Sequence, residues 1–126
     1  MLDAMEALRH IARRQRGLFT RDQAKSCGLS AFQVRRRLAS GDWRVVLEPV
    51  LAGADTGVTL PVRDQAAALA IPGSVLAGAS AARRLGIPVE DATTYLWVGR
   101  LRGRRLPGVS LVYRSTEDDR GLPAFP

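Results

Sequence analysis

Two short polar patterns, set ten residues apart, constrain this chain more than anything else in it. Thr20-Arg21-Asp22-Gln23 and Ser30-Ala31-Phe32-Gln33 both carry a hydroxyl residue followed three positions later by glutamine. That spacing lets the hydroxyl accept from the backbone N–H of the third helical residue while the glutamine reaches back to accept from the backbone N–H of the hydroxyl residue itself. Each pattern therefore fixes a helix start. Gly28 and Leu29 lie between them, a helix stop and an apolar plug. The spacing predicts one helix from Arg21 to about Cys27 and a second from Ala31 to about Ser40, closed by Gly41. Two short helices joined by a tight Gly-Leu-Ser turn form a helix-turn-helix.

The flanking sequence completes a small module. Leu2 to Gln15 reads as a helix with Met5, Leu8, Ile11 and Ala12 on one face and Arg9, Arg13 and Arg14 largely off it. Gly17 ends it, and Leu18 and Phe19 form a short apolar link. Trp43 to Leu47 and Val50 to Ala52 are β-rich runs separated by Glu48-Pro49, which reads as a hairpin or wing. Ala54 to Gly57 reads as a linker.

The remainder has a different pattern. Pro61 to Ala70 is helical, with Thr59 as its cap and Val62, Ala66, Leu69 and Ala70 inward. Pro72-Gly73 breaks it. A strand over Val75 to Ala77, a helix from Ser80 to Leu85 closed by Gly86, and strands over Thr94 to Val98 and Val109 to Tyr113 follow. The fold class is α+β: an N-terminal winged helix-turn-helix over residues 1–54 and a small α/β domain, truncated in one reading, over residues 55–126.

Charge is distributed unevenly between these parts. The net charge is +7; residues 1–44 hold ten Lys/Arg against four Asp/Glu, and residues 45–99 hold three against five. Lys25 is the only lysine, and arginine is the side chain that forks onto phosphates and guanine edges. A basic module beside a mildly acidic one points to a polyanion partner. On a helical wheel Val34 and Leu38 define the buried face of the second helix, with Ala31 beside them. Arg36 and Ser40 lie opposite, Phe32 and Gln33 flank the exposed face, and Arg35 and Arg37 stand at its margins.

Gln33, Arg36 and Arg37 are accordingly candidate base readers, the glutamine for adenine and the arginines for guanine. Phe32 has two readings, a contact with a thymine methyl and a core role against the Leu2 to Gln15 helix. Arg21, Ser30, Arg35 and Arg44 are candidate phosphate contacts, and the alternative for each is ordinary surface polarity. Trp43 reads as the anchor of the wing on the second helix. Arg100, Arg102, Arg104 and Arg105 form a second basic cluster, either a further DNA contact or a plain inter-strand turn.

Catalysis has no evident residues. Cys27 is the only cysteine and His10 the only histidine, so neither a disulfide within the chain nor a cysteine- or histidine-rich metal site is expected. Glu117-Asp118-Asp119 reads as a solvated acidic loop rather than a set of metal ligands. No cofactor is expected. The charged, amphipathic start does not read as a secretory signal, and no run approaches the ~18 apolar residues of a membrane span, so the expected location is the cytoplasm.

The order of elements resembles a known family. Gly17-Leu18-Phe19-Thr20-Arg21-Asp22-Gln23-Ala24, then Gly28-Leu29-Ser30, Arg36 to Leu38, and Ser40-Gly41-Asp42-Trp43-Arg44 are similar to the N-terminal region of the AbiEi-type antitoxin and transcriptional-regulator family of type IV toxin-antitoxin systems. Ser80-Ala81-Ala82 with Leu85-Gly86, and Gly121-Leu122-Pro123, follow the same layout. The resemblance implies a winged helix that binds operator DNA and represses an antitoxin–toxin operon, with double-stranded DNA and a cognate toxin as partners. It also implies a further C-terminal domain beyond this chain's last residue, and in some relatives that domain is a very-short-patch-repair-like endonuclease. The alternatives are therefore the targeting end of such an endonuclease and a winged helix that binds a partner protein.

Overall fold

In a computed structural model the described residues are 2–99 and 106–113, and the chain divides into two compact units between Val58 and Thr59. The first unit runs α1 (Ala4–Arg13), β1 (Leu18–Thr20), α2 (Arg21–Ser26), α3 (Ala31–Ser40), β2 (Trp43–Leu47) and β3 (Val50–Gly53). The helices start where side chains can take up free backbone N–H groups. Asp3 caps α1, its carboxylate accepting from Glu6 N at 2.8 Å. Both capping boxes form: Thr20 Oγ1 accepts from Gln23 N at 3.1 Å while Gln23 Oε1 accepts from Thr20 N at 3.0 Å. Ser30 Oγ accepts from Gln33 N at 3.1 Å, and Gln33 Oε1 from Ser30 N at 2.7 Å.

The turn between α2 and α3 is fixed equally closely. Leu29 N donates to Ala24 O at 3.1 Å and Gly28 N to Lys25 O at 3.0 Å, the paired bonds of a Schellman motif. Gly28 takes φ +106°, open to glycine and costly for a residue with Cβ. Leu29, the residue after it, drops into a core with Leu8, Phe19, Ala24, Val34, Trp43 and Leu51. Phe19 meets Trp43 edge to face at 4.8 Å between centroids.

One strand of this unit is missing from the sequence reading. Leu18–Thr20 is not a link but β1, and it pairs antiparallel with β3, Phe19 opposite Leu51. The sheet order is β1-β3-β2, so the wing is a three-stranded sheet whose middle strand is almost fully buried. The first helix is also shorter than the expected Leu2 to Gln15, because Asp3 caps it and Arg14 closes it. Ala31, placed beside the buried face by the wheel, is exposed.

The second unit contains α4 (Leu60–Ala70), β4 (Val75–Leu76), α5 (Gly78–Arg84), β5 (Thr94–Gly99) and β6 (Val109–Tyr113). Its sheet order is β4-β5-β6; β4 pairs antiparallel with β5, and β6 runs parallel to β5. Thr59 caps α4 as expected, with Val62, Ala66, Ala67 and Ala70 buried. An unexpected ion pair sits among them. Asp64 receives Arg83 Nε at 2.8 Å on one oxygen; the other takes Arg83 Nη2 at 2.9 Å, Ser80 Oγ at 3.2 Å and Thr94 Oγ1 at 2.7 Å. The carboxylate and guanidinium keep only 3% and 8% of their side-chain surface in solvent. The network ties α4, α5 and β5 together and holds the Arg83 pKa above its ordinary value, chiefly through the Asp64 hydrogen bonds.

Candidate nucleic-acid interface

The outward side of α3 carries two exposed basic residues, Arg35 and Arg36. Val34 is buried and Leu38 half-buried, so they turn the opposite side of the helix outward. Phe32 lies on that side with 62% of its surface exposed. Its core reading is thereby corrected: the space against α1 is already filled by Leu8, Phe19 and Leu29, and Phe32 stands in solvent. Arg36 is one turn further on, at the i+4 position, and is also exposed.

The proposed base readers differ in what already engages them. Among the described residues the side chains of Arg35 and Arg36 make no hydrogen bond or ion pair. Gln33 is different, because its Oε1 closes the capping box on Ser30 N. A bidentate adenine contact uses both the amide oxygen and the amide nitrogen, so with the cap intact Gln33 has its NH₂ group and one remaining lone pair of Oε1, held in the orientation the cap sets. Arg37 turns off the outer face. Its guanidinium lies 5.6 Å from the centroid of the Trp43 ring, and Nη1 is 3.7 Å from Asp42 Oδ2.

The proposed phosphate contacts divide in the same way. Arg35 is exposed and lines a groove of about 430 Å³ between α2 and α3, together with Arg21, Lys25, Ser30 and Ala31. Lys25 was not among the sequence candidates; its signal was its i+4 spacing from Arg21 on α2. Arg21 donates from Nε and Nη2 to the two carboxylate oxygens of Glu48 in the wing turn, and that pairing raises its pKa above the ordinary value. A phosphate at Arg21 competes with Glu48. Ser30 Oγ is the cap acceptor of α3, and Arg44 donates to the Thr56 carbonyl. Arg100, Arg102, Arg104 and Arg105 lie outside the described residues, as does Glu117-Asp118-Asp119.

Among the described residues no group of three His, Cys, Asp or Glu gathers to hold a metal ion, and no helix is long and apolar enough to cross a membrane. The buried polar side chains Ser80 and Thr94 both donate to the buried Asp64.

Residues 6–46 match the family described as "Transcriptional regulator, AbiEi antitoxin". That segment runs from α1 through both capping boxes and α3 into β2, and it holds the motifs between Gly17 and Arg44; Ser80-Ala81-Ala82, Leu85-Gly86 and Gly121-Leu122-Pro123 lie outside it. A search of curated proteins finds no match.

Proposed function

We propose that this chain is a transcriptional regulator that binds double-stranded DNA sequence-specifically, with α3 in the major groove, and that it represses its own antitoxin–toxin operon. The observation that carries this reading is the outer face of α3. Phe32 and Arg36 stand one turn apart on a doubly capped helix, and among the described residues no hydrogen bond or ion pair engages either side chain. A helix of this kind, ~10–12 Å across with its side chains, matches a groove ~12 Å wide. An arginine there forks onto guanine O6 and N7, and a phenyl ring packs on a thymine methyl. The family match over residues 6–46 supports the regulatory part of the reading. Repression of an operon and a toxin partner come from the resemblance to that family, and no enzymatic step is assigned to this chain.

The test is a gel shift on the chain's own promoter fragment, titrated with salt. The expected result is a shift that weakens steeply as salt rises, since arginine–phosphate contacts release counterions. Arg36→Ala should lose ~1–3 kcal/mol of preference for the promoter over a scrambled duplex, the range of one bidentate base contact. An intact protein that shifts no duplex sinks the reading; equal binding to promoter and scrambled DNA removes its sequence-specific part.

A further inference from the structure

The first helix carries arginines that the reading above leaves without a task. Arg9 and Arg13 are exposed on α1, one turn apart, and among the described residues neither makes a salt bridge. They line a cleft of about 610 Å³ within the first unit, together with Arg37, Asp42, Asp55 and Trp43. A second groove of about 500 Å³ adjoins it, lined by Gln33, Arg36 and Ser40 of α3, and the two share Met5, Arg37 and Asp42. The α1 arginines therefore lie along one flank of α3. Lys25 and Arg35 line the groove on its other flank, between α2 and α3.

A helix that fills the major groove has a phosphate strand on each side of it. The α2 flank supplies cations for one strand. We propose that α1 supplies them for the other: Arg9 and Arg13, with Arg37 lining the same cleft, seat backbone phosphates on the side of the groove opposite Lys25 and Arg35. This inference rests on the DNA-binding reading. Three guanidinium groups line the cleft against two carboxylates, and one of those, Asp42, lies beside Arg37. The surplus is positive. Arg37 then acts from the margin of α3, which accounts for its turn toward Trp43 instead of the base edges.

The experiment measures the dissociation constant of the full chain for its promoter duplex and for a scrambled duplex across salt concentrations, for the parent, Arg9→Ala/Arg13→Ala and Arg9→Lys/Arg13→Lys. Each lost phosphate contact lowers the slope of log K against log salt by ~0.9. The double alanine variant should therefore lose about 12-fold less affinity than the parent between about 50 and 200 mM salt. The change should be the same on both duplexes, leaving their ratio unaltered, and the lysine variant should keep the parental slope. Phosphate ethylation interference on the parent should mark both flanks of the groove, a readout that does not depend on the variants folding. A parent that binds with interference on one flank only, or a slope untouched by the alanine pair, overturns the α1 assignment while leaving DNA binding in place. A parent that binds no duplex overturns both.

Discussion

At the scale of single residues, Asp91 shows how one hydrogen bond appears at both ends of the pH range. Tyr95 Oη donates to Asp91 Oδ2 at 2.6 Å, and Thr93 N donates to Oδ1 at 2.8 Å. These donors, the tyrosine first, hold the carboxyl below its ordinary 3.8, and the same bond lifts the tyrosine above its ordinary 10.0. The carboxylate contribution to stability is then complete above pH 3.8 and disappears as pH falls through the lowered value. The tyrosine contribution is complete below pH 10.0 and disappears as pH rises through the raised one. Thermal melting of Asp91→Asn should show both limbs flattened relative to the parent; unchanged limbs would contradict this pairing. None of this was legible in the sequence, because Asp91 and Tyr95 meet through a turn whose shape spacing does not reveal. Arg36 was legible, since a wheel needs only the helix start, and Ser30 fixed that. The turn of Arg37 toward Trp43 was not, because it depends on where β2 begins relative to the last turn of α3.

Elements were legible where a local rule sets them. The two capping boxes and Gly28 define α2 and α3 to within a residue of the expected spans. The strand β1 has three residues, too short for alternation to register, and its partner β3 lies about thirty positions away in sequence. Strand direction is similarly silent in a sequence, which is why the parallel pairing of β5 with β6 could not be read. Asp64 is not legible in the sequence because helical periodicity marks inward positions by apolar side chains, and its partner Arg83 lies on another helix. Two predictions belong here. Gly28→Ala forces a Cβ into φ +106°, so it should cost at least ~1 kcal/mol in urea unfolding, although only Ala4 lies near the added atom, at 3.8 Å. Asp64→Ala leaves the Arg83 guanidinium buried without its carboxylate and should cost ~3–5 kcal/mol, seen in the same measurement. A loss under ~1 kcal/mol would mean that water or a neighbour replaces the pair.

For the whole molecule, the division of charge sorts the two units by task. Residues 2–58 hold ten Lys/Arg against six Asp/Glu, whereas the described part of the second unit, residues 59–99 and 106–113, holds three against three. Net positive charge therefore belongs to the first unit among the described residues, and under the proposed function that unit supplies the phosphate contacts. Arg84→Ala removes an exposed cation of the second unit and should leave the salt slope of promoter binding unchanged, while Arg35→Ala should lower it by ~0.9. Equal effects from the two would mean that the second unit also tracks the backbone. The capping box of α3 bears on how such a molecule could change its target. Gln33 supports the fold and lies on the reading face at once, so mutational drift there is punished before it can be rewarded. Phe32 and Arg36 carry no such double duty. Under the proposed function, a lineage of such proteins could thus acquire new target sequences by exploring two positions while the third holds the helix in place, and a designer seeking altered specificity would randomise 32 and 36 and leave 33 as glutamine or glutamate.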